Sequence, residues 1–186
     1  MKKLLVLAIS LAGFAGAKAQ TQSDIEGTWL VAGEITASSA GSNTNSFQFN
    51  PQVGKQLDQH WALGLDLGIG TKKSTVKTSN YNLGIFGRYT WPISPIFCIY
   101  GQAAVGVNST KTENVSDRTN KLYINAAPYI GINVKNNFLL YASFGGIGYN
   151  STKVSGSSSS SNKFNFEFGQ VYSMGVSKNF GGKKGK

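Results

Sequence analysis

The chain has 186 residues, a single cysteine and a formal net charge of +10. Its length predicts one domain, and Cys98 has no partner for an internal disulfide. Beyond the N-terminal segment, no run of about 18 apolar residues occurs, which excludes a helical membrane protein. A basic chain can bind nucleic acid, but the recognition motifs for nucleic acid are absent, so we expect no such partner.

The N-terminal segment, residues 1–19, has the organisation of a secretory signal peptide. Two lysines precede an apolar run over residues 4–17, and an A-x-A sequence follows at 17–19. The apolar run is too short to cross a bilayer as a helix. We therefore predict cleavage between Ala19 and Gln20 and export of the mature chain.

Eight later segments alternate apolar and polar residues with a period of two, which places the two sets on opposite faces of a β-strand. The last segment is the longest alternation and ends on Phe180. At Gly145-Gly146 the alternation loses its phase, which indicates a β-bulge. The predicted strands cover residues 27–37, 47–57, 61–70, 81–91, 97–108, 122–134, 138–149 and 163–180.

The connections between these strands alternate in length. Turns of two or three residues follow the second, fourth and sixth strands, whereas long polar loops follow the others, at 38–46, 72–79, 109–120 and 150–162. An even strand number with tight turns at one end is the organisation of transmembrane barrels. The apolar set is large and aromatic, whereas the opposite set is small and polar, as the narrow lumen of an eight-stranded barrel requires. We therefore predict an all-β, eight-stranded antiparallel up-and-down transmembrane β-barrel with a packed polar lumen, rather than a soluble sandwich.

Aromatic residues recur beside the predicted short turns and at the two ends of the barrel. An aromatic ring is stable at headgroup depth, so a shared level indicates a membrane interface. The predicted belt consists of Trp29, Trp61, Trp91, Phe97, Phe138 and Phe180.

With the export signal, this pattern over residues 27–180 resembles the small outer-membrane barrels of the OmpA/OmpX type. The resemblance implies a Gram-negative outer membrane, assembly by the barrel-assembly machinery and contact with phospholipid and lipopolysaccharide. It also implies that residues 20–26 are a periplasmic lead-in and that the four long loops face outward, towards an external ligand or host surface. The basic tail 181–186 departs from the family, whose members usually end at the terminal aromatic residue.

Four charged residues have the parity of the lumen: Glu34, Asp66, Arg88 and Glu167. A buried arginine needs a partner, and we expect Asp66 to pair with Arg88 because both lie at similar distances from the short turns. Such a pair would close the lumen. By the same parity, we expect Gly64→Ser to be much milder than Leu65→Arg.

The sequence offers little for chemistry. The one histidine, His60, lies with Asp58 in a predicted short turn, far from the outer leaflet, so we expect no catalytic residues. Metal-ligand clusters and nucleotide motifs are absent, so we expect no metal and no cofactor. The sequence favours a monomeric barrel with a structural or surface-interaction role. A narrow, mostly closed channel is the alternative, and a lipid-modifying enzyme is the remote one.

Overall fold

A computed structural model describes residues 25–40, 44–74, 76–113, 118–134, 137–155 and 160–181. These residues form a closed barrel of eight antiparallel strands, which confirms the predicted fold class and strand number. The signal peptide 1–19, with its cleavage site at Ala19 and Gln20, lies outside the described residues, as does most of the tail. The strands are β1 (Trp29–Ala40), β2 (Thr44–Gln56), β3 (Trp61–Lys73), β4 (Lys77–Pro92), β5 (Phe97–Thr112), β6 (Arg118–Val134), β7 (Phe138–Val154) and β8 (Ser160–Phe180).

Each strand pairs with the next in sequence, and β1 pairs with β8 to close the barrel. Among the residues that the structure describes, no helix is long and apolar enough to cross a membrane.

The predicted bounds of the four long loops are wrong, because most of their residues belong to strands. Of the predicted loops 38–46, 72–79, 109–120 and 150–162, only residues 41–43, 74–76, 113–117 and 155–159 lie between the strands. The polar composition of these segments is typical of loops. A β-ladder is held by backbone hydrogen bonds, so polar side chains do not end it. The strands therefore continue past the apolar part of the wall as a polar rim.

Burial follows the predicted parity, with the apolar set outside. Leu65 on β3 and Ile85 on β4 are 51% and 59% exposed, and they are cross-strand partners. Facing the lumen, Ala62 and Phe86 are only 1% and 2% exposed. Large apolar side chains thus form the outer wall, and the interior holds mainly small, polar and tyrosine side chains, together with Phe86 and Leu30.

Two bulges interrupt the last two strands. Between the pairs Ala126–Ile147 and Tyr129–Ser143, β6 advances three residues and β7 four, which confirms the predicted bulge near Gly145. Opposite it, β8 has a larger irregularity between residues 168 and 173. Gly145 and Gly169 have φ values of 110° and 93°, which glycine adopts without a steric penalty. The alternation in β8 is therefore not one uninterrupted ladder, although Phe164 and Phe180 both face outward.

Candidate functional site

The barrel interior is crossed by a layer centred on Arg88, a β4 side chain that is 4% exposed. Its Nε and Nη2 atoms donate to Oε1 of Gln102 at 3.0 and 2.8 Å, and Nη2 also donates to Oε1 of Gln52 at 3.2 Å. The guanidinium carbon lies 4.2 Å from the ring centroid of Tyr100, a cation–π distance. We call Arg88, Gln52, Gln102 and Tyr100 the Arg88 layer. The charge is held by neutral amide oxygens and an aromatic face.

Asp66 does not contact Arg88, so the predicted ion pair is wrong. The Oδ1 atom of Asp66 accepts from Nε2 of Gln52 at 3.4 Å, while Oδ2 accepts from the Tyr123 hydroxyl at 3.2 Å and from Nδ2 of Asn82 at 3.3 Å. Gln52 therefore stands between the two charges. Its amide nitrogen donates to the carboxylate, and its amide oxygen accepts from the guanidinium.

Strand register explains why the pair does not form. Arg88 lies opposite Ala62, and Asp66 is four residues further along β3, which is about 13 Å at the usual rise of a strand. The predicted pair assumes that the two short turns lie at one level. However, Trp61, the first residue of β3, pairs with Tyr89, so β4 extends beyond β3 at this end. This stagger accompanies barrel closure, and the sequence carries no direct signal for it.

Lumen-facing glycines make room for interior aromatic rings. A Cβ atom on Gly64 would lie 2.8 Å from Cε1 of Phe86 and 2.5 Å from Cα of Gly54, and it would also meet the backbone oxygen of Val53. A Cβ atom on Gly106 would lie 2.5 Å from the hydroxyl of Tyr123. The parity predicted for Gly64 is correct, but a side chain there meets backbone atoms, so we now expect Gly64→Ser to be costly as well. Parity alone does not show the space available.

Three tyrosines fill the β5–β7 side of the lumen. The rings of Tyr100 and Tyr129 stack at 4.6 Å between centroids, and Tyr141 meets them edge-on at 5.7 and 5.8 Å. Offset and edge-on arrangements are the favourable ones for aromatic pairs. These rings, together with the Arg88 layer, occupy the middle of the barrel.

Two cavities lie on either side of this filled region. The outer one, at the polar-rim end, has a volume of about 630 Å³, and the inner one, among the short turns, about 420 Å³. Glu34, Asp66 and Glu167 line the outer cavity, whereas Arg88 lines the inner cavity. The four predicted lumen charges thus share the interior but do not form one network. Amide side chains surround the outer cavity: Gln48, Asn50, Gln52, Asn80, Asn82, Gln102, Asn108, Asn125, Asn150 and Asn165.

Glu34 and Glu167 occupy different positions in the outer cavity. Glu34 is partly buried on β1, and its carboxylate lies close to the hydroxyls of Ser173 and Tyr129. Glu167 is exposed on β8, beyond the bulge, opposite Gly146. Among the described residues, no group of three or more His, Cys, Asp or Glu side chains is placed to hold a metal ion.

The six predicted belt residues all lie at the short-turn end of the wall. Phe138 is partly buried, and the other five are between 44% and 56% exposed. Tyr89 is not among the predicted belt residues, although its ring contacts those of Trp61 and Trp91 at 4.9 and 4.5 Å and stacks on His60 at 5.4 Å. Tyr89 has the same outward parity as Trp91 on β4, and this was the feature of the sequence that could have placed it in the belt.

Asp58 and His60 are both engaged in the turn between β2 and β3. The Asp58 carboxylate accepts from the backbone nitrogens of Trp61 and His60, each at 2.7 Å, and these hydrogen bonds lower the pKa of Asp58. The Nδ1 atom of His60 lies 2.9 Å from the carbonyl oxygen of Thr90. The turn therefore uses both side chains for structure.

No protein-family model and no curated protein matches the chain. Among solved structures, the crystal structure of Neisserial surface protein A superposes with a TM-score of 0.52 at 18% sequence identity, covering 82% of this chain and 96% of that one. The chain has the fold of the eight-stranded outer-membrane barrels. At this identity the similarity concerns the fold. The outer membrane protein Ail of Yersinia pestis, studied in a phospholipid bilayer nanodisc, gives a TM-score of 0.47 at 15% identity, covering 83% of this chain and all of that one.

Proposed function

We propose that this chain is a bacterial outer-membrane barrel with a closed lumen and a structural or surface-interaction role. The observation that carries the proposal is the inverted burial, in which the large apolar side chains face outward around a polar interior. Water disfavours a continuous apolar wall of this size. Hydrocarbon, in turn, accepts β-strands only as a closed barrel.

The dimensions of the wall support this location. The outward apolar positions of β3 run from Trp61 to Ile69, after which Thr71 and Lys73 are polar. A span of about 9–11 tilted residues crosses the hydrocarbon core of a bilayer. The aromatic belt would then mark the periplasmic interface, and the polar rim would face the outside of the cell. Phospholipid, lipopolysaccharide and the assembly machinery are the partners that this placement implies for a monomeric barrel.

The Arg88 layer supports the closed lumen. Hydrogen bonds of Arg88 join β4 to β2 and β5, and Tyr129 and Tyr141 pack with Tyr100 on the β5–β7 side of the lumen. A channel would need this layer to rearrange, which would leave a buried guanidinium without acceptors. We therefore place a structural or surface role ahead of conduction. A catalytic role is the least supported, because Asp58 and His60 act within their turn.

The proposal is tested in a deletion strain complemented by the wild-type gene. We expect a protein of the outer-membrane fraction whose electrophoretic mobility changes on heating. We expect the deletion to increase sensitivity to detergents or to reduce attachment to surfaces, with small-solute uptake unchanged. Recovery of the protein as a soluble monomer without detergent would contradict the location. Loss of small-solute uptake alone would favour the channel.

A further inference from the structure

The barrel wall is paired unevenly where its first and last strands meet. The ladder between β1 and β8 runs from Trp29–Phe180 to Ile35–Met174 and, within the described residues, ends there. Beyond it, residues 37–40 of β1 pair only with β2, and residues 160–168 of β8 pair only with β7. We call this opening, between residues 36–40 of β1 and 160–173 of β8, the β1–β8 seam.

The outer surface beside the seam is strongly apolar. Phe164, Phe166 and Phe168 on β8 are 67%, 68% and 50% exposed, and Phe47 on β2, opposite residue 37 of β1, is 50% exposed. Such rings are stable against lipid. Residues 38–40 and 160–162 of the seam belong to the polar rim. Beside the phenylalanines, however, backbone N–H and C=O groups that no strand pairs are costly against lipid. The seam therefore needs an occupant that is apolar towards the membrane and polar towards the barrel.

The outer cavity is lined by residues of all eight strands, and the seam borders it on the side of β1 and β8. Thr36 on β1 and Asn165 on β8 line it, as do the carboxylates of Glu34 and Glu167 on the same two strands. Three carboxylates line the cavity, against one cationic side chain among the described lining residues, that of Lys121. A cleft lined with carboxylates concentrates negative potential and favours a cation. The amide side chains around it can donate to and accept from neutral polar groups.

We propose that the seam is a lateral entry for an amphiphile with an ammonium-bearing headgroup. The headgroup would lie in the outer cavity near Glu34 and Glu167, and the acyl chain would lie in the membrane against the β8 phenylalanines. This inference rests on the proposed membrane location and adds a ligand to it. A second copy of the chain could also pair with the free edge of β8. The cavity beside the seam and its charge favour the headgroup.

Binding is tested with the barrel refolded in a neutral maltoside detergent and titrated with lysophosphatidylethanolamine. Lysophosphatidylglycerol is the charge control, and glycerophosphoethanolamine, which has no acyl chain, is the chain control. By native mass spectrometry we expect one lysophosphatidylethanolamine per barrel, bound at least about tenfold more tightly than either control, the scale of one charged hydrogen bond. Glu167→Gln, at an exposed position, is expected to reduce this preference to about threefold or less, whereas Glu113→Gln, on the β5–β6 connection, should not change it. Equal affinity for the two lysolipids, or equal effects of the two variants, would overturn the proposal.

The route is tested separately with a spin label on the acyl chain of the amine lipid. We expect the label to broaden the amide NMR signals of Ile35 and Phe166 and to leave those of Leu65 and Ile85, on the opposite wall, unchanged. Uniform broadening around the barrel would overturn lateral entry, as would formation of a dimer through the β8 edge. Conductance recorded from the same sample reports on the closed lumen independently, so failure of one proposal is distinguishable from failure of the other.

Discussion

Two lumen-facing glycines with the same parity are expected to respond oppositely to an added methyl group. At Gly64 the new Cβ would lie 2.5 Å from Cα of Gly54 and 2.8 Å from the Phe86 ring, and its contact with the backbone oxygen of Val53 cannot be relieved by a rotamer change. At Gly148 the nearest atoms are 3.6 Å and 3.9 Å away, which is ordinary contact. Overpacking costs about 1–3 kcal/mol, so Gly64→Ala should lose at least about 2 kcal/mol because backbone must move. Gly148→Ala should lie between neutral and about 1 kcal/mol stabilising, because alanine restricts the unfolded chain.

The assay is reversible urea titration of folding into short-chain phosphatidylcholine vesicles, followed by tryptophan fluorescence. Electrophoretic mobility before and after heating provides an independent count of folded barrels. Equal free energies of unfolding for Gly64→Ala and Gly148→Ala would refute the packing argument. A stabilised Gly64→Ala would show that the space beside Phe86 is larger than the structure gives.

Three further predictions use the same titration. Leu65→Arg should cost about 2–4 kcal/mol if this exposed side chain faces lipid near the midplane, and a cost below about 1 kcal/mol would place it outside the membrane. Arg88→Met should cost about 2–5 kcal/mol because it leaves two buried glutamine oxygens without their donor, and a loss below about 1 kcal/mol would mean that the layer is not structural. The backbone N–H groups of Trp61 and His60 lower the pKa of Asp58 from its ordinary value near 3.8. The ionised carboxylate therefore stabilises the fold above pH 3.8, and this stabilisation is lost as the pH falls through the lower pKa of the folded state. Asp58→Asn should therefore reduce stability at neutral pH and show a weaker acid dependence, and an unchanged pH profile would contradict the turn geometry.

The sequence predicts the number of strands, the barrel and the outward face of most strands, because alternating apolar and polar residues indicate a strand and its two faces. Leu65 and Ile85 illustrate this, since both face outward as their alternation indicates. Strand ends were less predictable. The residues of the polar rim, such as Lys72 and Lys111, have loop composition but lie within β3 and β5.

The interior contacts depend on quantities that alternation does not carry. The pairing of Arg88 with Gln52 and Gln102 follows from the stagger between neighbouring strands, whereas Asp66 was the predicted partner. The space at Gly64 depends on a ring contributed by β4. The β1–β8 ladder ends next to the irregularity in β8, where the register with β7 shifts. Each of these features depends on the register between strands, which the alternation within one strand does not give.

The central claim, a membrane barrel closed by the Arg88 layer, is tested most directly by single-channel recording from the wild-type protein in planar bilayers. Insertion is first verified by the change of electrophoretic mobility on heating. The hydrogen bonds of Arg88 to Gln52 and Gln102, at 2.8 to 3.2 Å, predict conductance that is absent or small and intermittent. Arg88→Met should clearly lower the free energy of unfolding but raise the conductance only slightly, because the tyrosines still fill the bore. Large, steady single-channel steps from the wild-type protein would contradict the closed lumen.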